Sequence, residues 1–92
     1  MDHEQHDHHL ETRRRRALFR AEHRGTKEMD WILGRFARSA LATMSERELG
    51  TFEELLGLPD PDIEQWVVYG RGGVPDSALA SLIARIRAFH EI

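Results

Sequence analysis

His23-Arg24-Gly25-Thr26-Lys27-Glu28-Met29-Asp30-Trp31 is the stretch where one helical pattern stops and a second begins. Glycine takes a left-handed backbone without a Cβ penalty, so Gly25 reads as a turn after a helix, with Thr26 as N-cap of the next. Downstream, Met29, Ile32, Leu33, Phe36 and Ala40 recur at helical spacing and predict a helix over residues 27–43. Upstream, a first helix is expected from Leu10 or Glu11 to His23, with Ala17, Leu18 and Ala21 facing inward. At 100° per residue Trp31 falls nearly opposite the apolar stripe of its helix, beside Glu28, Arg35 and Arg38. It is therefore packed by another helix or exposed; burial is the expectation, and an exposed tryptophan beside an arginine would be a common interface anchor. The corner has the character of a recognition site rather than a reaction site.

Three more helices are indicated by start and stop signals. Ser45-Glu46-Arg47-Glu48 has the form of a capping box, followed by Leu49, Phe52, Leu55 and Leu56, with Gly57 as a stop before Pro59. Asp60-Pro61 reads as an N-cap acid with proline at the first helical position, and Ile63, Trp66 and Val67 point inward, with Tyr69 a further candidate. Arg71-Gly72-Gly73-Val74 is a connector that lacks the spacing of a phosphate loop. Pro75 and Asp76 open the last helix, whose stripe is Leu79, Leu82, Ile83, Ile86 and Phe89, with His90 a core-edge histidine on the same side. The expected fold is all-α, a compact bundle of five short helices forming one domain over residues 10–92.

A chain of 92 residues supports one core. With 40% hydrophobic and 32% charged residues it is ordinary for a soluble domain, and no apolar run approaches the roughly 20 residues of a membrane span. The absence of cysteine excludes disulfides, thiolate catalysis and Cys-ligated metal. Residues 1–9 (MDHEQHDHH) lack apolar periodicity and read as a mobile tail; His3, His6, His8 and His9 are an alternative metal-binding set with nothing to fix its geometry. The start lacks the basic-plus-apolar form of a secretory signal, and the expected address is a bacterial-type cytoplasm.

The net charge of −3 is unevenly spread: residues 12–38 hold nine bases and three acids, and residues 45–65 seven acids and one base. That layout suits a protein partner of mixed charge better than a polyanion. Arg13, Arg16, Arg20 and Arg24 form a stripe on the first helix, the basis of an alternative reading as a small nucleic-acid-binding or regulatory protein; the stripe lacks interleaved aromatics. Glu53 and Glu54 point about 100° apart on a helix and make no catalytic pair. No glycine-rich nucleotide loop, HExxH or GxSxG motif occurs, so the chain is not read as an enzyme.

Arg24-Gly25-Thr26-Lys27-Glu28 matches the RGxxE motif of the SdhE family, small assembly factors for the flavoprotein subunit of succinate dehydrogenase, and the chain resembles that family over residues 12–90. The match continues through Met29-Asp30, the Ser45-Glu46 helix start, Leu49 to Leu56, and Asp60-Pro61-Asp62-Ile63-Glu64-Gln65-Trp66. The resemblance implies a five-helix bundle that binds the flavoprotein subunit of succinate dehydrogenase or fumarate reductase. It also implies help, as a chaperone, in covalent attachment of FAD to a histidine of that partner. FAD would belong to the partner, with none bound directly here. Arg24, Gly25 and Glu28 would lie at the contact, Arg24 pairing with a partner carboxylate and Glu28 with an arginine; Asp30 and Trp31 complete the candidate surface, and Trp66 is core or contact. Thr26 departs from the methionine found in many members.

Overall fold

The computed structural model describes residues 2–92, with side chains from His9 onward. Its helices are α1 (Asp2–Glu22), α2 (Lys27–Ala40), α3 (Glu46–Leu56), α4 (Asp60–Val67) and α5 (Ser77–Phe89), with a 3₁₀ turn Leu41–Thr43 closing α2 and no strand among the described residues. None of these helices is long and apolar enough to cross a membrane.

α1 starts at Asp2 rather than at Leu10 or Glu11. No glycine or proline precedes Gly25 to interrupt the helix. Of the metal-binding alternative's His3, His6, His8 and His9, the first three lie outside the residues whose side chains are described. The other starts obey their caps. Thr26 accepts from the Met29 amide at 3.2 Å. Ser45 and Glu48 form the reciprocal capping box, with Glu48 N–H donating to Ser45 Oγ at 3.1 Å and Ser45 N–H to the Glu48 carboxylate at 2.8 Å. Asp76 accepts from the Leu79 amide at 2.8 Å.

Gly57 ends α3 as expected, at φ −82°, an ordinary right-handed value. One further boundary differs from expectation. Pro59, not Asp60, is the N-cap of α4, and no side chain caps that helix. The carboxylate of Asp60 is instead taken by Arg24, at 2.9 Å from Nε.

The buried cluster draws on every helix: Ala17 and Ala21 of α1, Leu33 of α2, Phe52 of α3, Ile63 of α4 and Ile86 of α5 are all at most 1% exposed. Alanines on α1 let α2 approach closely, and these two helices make the most extensive packing in the fold. Trp66 is half-buried against this core rather than free as a contact. Gly72, at φ +83°, passes over the indole so closely that a Cβ there would sit 3.2 Å from Nε1. Tyr69, a further inward candidate by sequence, is 54% exposed; it lies beyond Val67, where helical spacing no longer governs direction. Phe89 is 41% exposed, packed edge-on against Phe36 on one side and open on the other.

The two charge blocks meet where α1 packs against α3. Arg13 grips Glu53 with two bonds, Nη2 at 2.6 Å and Nε at 3.1 Å, and reaches Glu46 at 3.4 Å. The hydrogen bonds from Arg13 hold the Glu53 carboxyl below its ordinary value of 4.5. A carboxylate with a depressed folded pKa stabilises the fold fully above its unfolded value and loses that contribution as pH falls through the folded one. Wild type should therefore lose stability as pH drops below about 4.5, and Glu53→Gln should be less stable near neutrality but flatter through that acid window. Urea melts at a series of pH values read this directly; parallel curves for the two proteins would contradict it.

Candidate functional site

The corner between α1 and α2 is fastened from behind by one side chain. Arg24 Nη1 donates to the Leu56 carbonyl at 2.6 Å and Nη2 to the Leu58 carbonyl at 3.0 Å, while Asp60 Oδ1 receives Nε and Nη2 at 2.9 and 2.8 Å. The guanidinium thus satisfies carbonyls at the negative end of α3 and an acid at the first residue of α4, a forked arrangement that lysine could not reproduce. The Arg24 side chain is only 11% exposed. Within the chain Nε, Nη1 and Nη2 of Arg24 are thus each already bonded, and the guanidinium is held inward at the corner. The Arg24 amide is committed as well, donating to the Asp30 carboxylate. Asp30, read as a contact residue, is half-buried and acts as a brace of the turn.

Gly25 lies at φ +133° and has no heavy atom within 4 Å of where a Cβ would sit. Any L side chain there would strain the backbone, yet it would project into open space and into whatever docks on the corner. Glu28 is exposed on the first turn of α2, with no ion pair or hydrogen bond among the described residues. Its carboxylate is available.

Trp31 is exposed rather than buried, at 53%. The second packing face that would have covered it is partly supplied by His90, whose ring centroid lies 4.8 Å from that of Trp31. On the flank nearer the C-terminus of α2, the Arg35 guanidinium lies 5.5 Å from the indole centroid. His90 is held in turn: Nε2 is 2.7 Å from the Ile32 carbonyl, an acceptor, so Nε2 carries the proton, and its ring meets Phe89 edge-on at 4.9 Å. The indole is thus presented outward on a support. That support is 58 positions away in sequence from Ile32, and sequence reasoning placed His90 at the core edge without linking it to Trp31.

Five candidate residues therefore separate into two sets. Arg24 and Asp30 face inward and hold the corner, whereas Gly25, Glu28 and Trp31 form its outer surface. Among the described residues no group of His, Asp and Glu side chains is arranged to hold a metal.

Residues 15–90 match the family model described as flavinator of succinate dehydrogenase. The chain is 39% identical over 77 residues to the FAD assembly factor SdhE of Acetobacter pasteurianus, covering 84% of this chain and 70% of that protein. It is 33% identical over 79 residues to the mitochondrial succinate dehydrogenase assembly factor 2 of Debaryomyces hansenii, covering 84% of this chain and 56% of that one. A third relative is the mitochondrial protein of the same name from Cryptococcus neoformans, 43% identical over 60 residues, or 65% of this chain and 34% of its own length. The chain thus spans most of the bacterial relative but only about a third to a half of these two mitochondrial ones. No solved structure matches.

Arg24→Ala should cost about 2–3 kcal/mol of folding stability, since it strands a half-buried acid and two helix-end carbonyls. Arg24→Lys should recover only part of that. His90→Ala should leave stability within about 1 kcal/mol but loosen the indole, read as increased accessibility of Trp31 to a fluorescence quencher in a Trp66→Phe background. An unchanged urea midpoint for Arg24→Ala would contradict the clamp, and unchanged quenching would contradict the support.

Proposed function

The chain belongs to the family of succinate dehydrogenase flavinators, and from that premise we propose that it is an assembly factor for the flavoprotein subunit of succinate dehydrogenase. It promotes covalent attachment of FAD to that subunit as a chaperone and not as a catalyst. The observation that carries this reading is the corner itself: an open Gly25 between two helices, with an unpaired Glu28 and a supported Trp31 beside it. A rigid protrusion of this kind suits docking, because little side-chain entropy is lost when preorganised groups are covered.

Forming a bond between flavin and histidine requires the reacting atoms in near-attack geometry. A partner that holds the flavoprotein in that arrangement raises the rate without moving a proton itself. Glu28 reaches a cationic side chain of the flavoprotein, Trp31 fills an apolar hollow, and Gly25 lets the backbone approach. FAD stays on the flavoprotein. The client is the succinate dehydrogenase subunit, with the related fumarate reductase subunit as a second client, and the setting is a bacterial-type cytoplasm. The nucleic-acid alternative is weakened by the fate of the arginine stripe, since Arg13 and Arg24 are taken by Glu53 and Asp60.

Co-expression of the flavoprotein subunit with each variant, followed by in-gel flavin fluorescence, tests the reading. Glu28→Ala and Trp31→Ala should each lower attached flavin about fivefold or more while leaving the melting transition near wild type. Gly25→Arg should abolish the effect. Attached flavin at the wild-type level in all three variants would remove the corner as the working surface.

A further inference from the structure

The outward face of α1 carries Thr12, Arg15, Arg16 and Phe19, which fall within an arc of about 100° on the side opposite Ala17 and Ala21, and His23 follows just past the end of the helix. Phe19 is 62% exposed, the highest value among the exposed large hydrophobic residues. It is not a loose side chain. Its ring stacks on His23 with centroids 4.0 Å apart and planes 20° from parallel, and His23 Nδ1 lies 2.7 Å from the Phe19 carbonyl. A shallow groove of about 450 Å³ runs beside it, lined by Thr12, Arg15, Arg16, Phe19 and Arg20.

Charge distinguishes this face from the rest of the helix. Arg13 and Arg24 are spent on Glu53 and Asp60. Arg15 and Arg16 are exposed and make no ion pair among the described residues, while Arg20 lies on the α3 side, in the field of Glu53. Two free guanidiniums beside a fixed aromatic plate are complementary to carboxylates with an apolar side chain between them, since guanidinium binds carboxylate through a fork of donors. The plate is also continuous with the corner, because His23 immediately precedes Arg24 and Gly25.

We propose that this face is a second docking surface for the flavoprotein, one that receives a short acidic segment bearing an apolar residue. Carboxylates of the segment lie against Arg15 and Arg16, and its apolar side chain lies against Phe19. The inference rests on the flavoprotein being the partner. A nucleic acid fits the face less well: one ring face of Phe19 is already covered by His23, no second aromatic among the described residues continues the stack, and the acids Glu11 and Glu22 bound the stretch at either end. The distance from residue 15 to residue 19 along a helix is about 6 Å, which two or three extended residues span.

The test is titration of the purified flavoprotein subunit, without attached flavin, against wild type, R15E/R16E, R15Q/R16Q, F19S and E28A at low and high salt. R15E/R16E should lose about tenfold in affinity at low salt, with a slower on-rate and a flatter salt dependence, and R15Q/R16Q should fall between it and wild type. F19S should lose about fivefold without a change in salt dependence. Melting transitions should stay close to wild type, because all three side chains are exposed. Wild-type affinity for R15E/R16E and F19S, with E28A still weakened, overturns this inference and leaves the corner standing. Wild type that fails to bind removes the flavoprotein as partner and this surface with it. Binding of a single-stranded oligonucleotide, or self-association in sedimentation, that R15E/R16E abolishes while flavoprotein affinity is unchanged gives the face to another occupant and also overturns it.

Discussion

Two helix ends and one turn converge on the guanidinium of Arg24. The C-terminus of α3 exposes carbonyls that lack intrahelical partners, α4 begins with an acid instead of a side-chain cap, and the turn after α1 needs an anchor. One forked, permanently charged group meets all three needs at 11% exposure. A carbonyl at a helix C-terminus and a carboxylate are both negative, so placing a cation between them is favourable from each side. It ties the joint between α3 and α4 to the first corner.

This arrangement changes how the RGxxE pattern works in this chain. Its arginine and glutamate are four positions apart and look like a matched pair of polar contacts, but the glycine between them reverses the chain. Arg24 consequently points into the molecule while Glu28 points out. The same turn draws Asp30 back to the Arg24 amide, so two of the charged groups become internal supports for the outer three residues. The buried pair sets where the corner stands, and Gly25, Glu28 and Trp31 are the residues it leaves exposed.

The exposed surface shows a second pattern, in which aromatic groups are held from one side and open on the other. Trp31 leans on His90, Phe89 on Phe36, and Phe19 on His23. A solvent-facing aromatic that is already ordered loses little freedom on being covered, and it offers a large apolar area. The arginine blocks are divided in the same way between those neutralised within the fold and those left facing outward on α1.

Local signals determined the fold class almost entirely. The capping box at Ser45, the Asp76 cap, the glycine at 25 and the helical spacing from Met29 to Ala40 depend on interactions within one or two turns, and such interactions are written in consecutive residues. The family, too, was legible from the corner motif and the spacing of the helix starts downstream of it. Only the tertiary structure decided what the corner's charged groups do. Asp60 looked like a cap until a partner 36 positions away in sequence claimed it. Trp31 looked due for burial, yet the fold left it with His90, just past the end of α5, on one side and open solvent beyond. Both outcomes turn on which helices meet, a matter of long-range packing geometry that periodicity along a single helix does not encode.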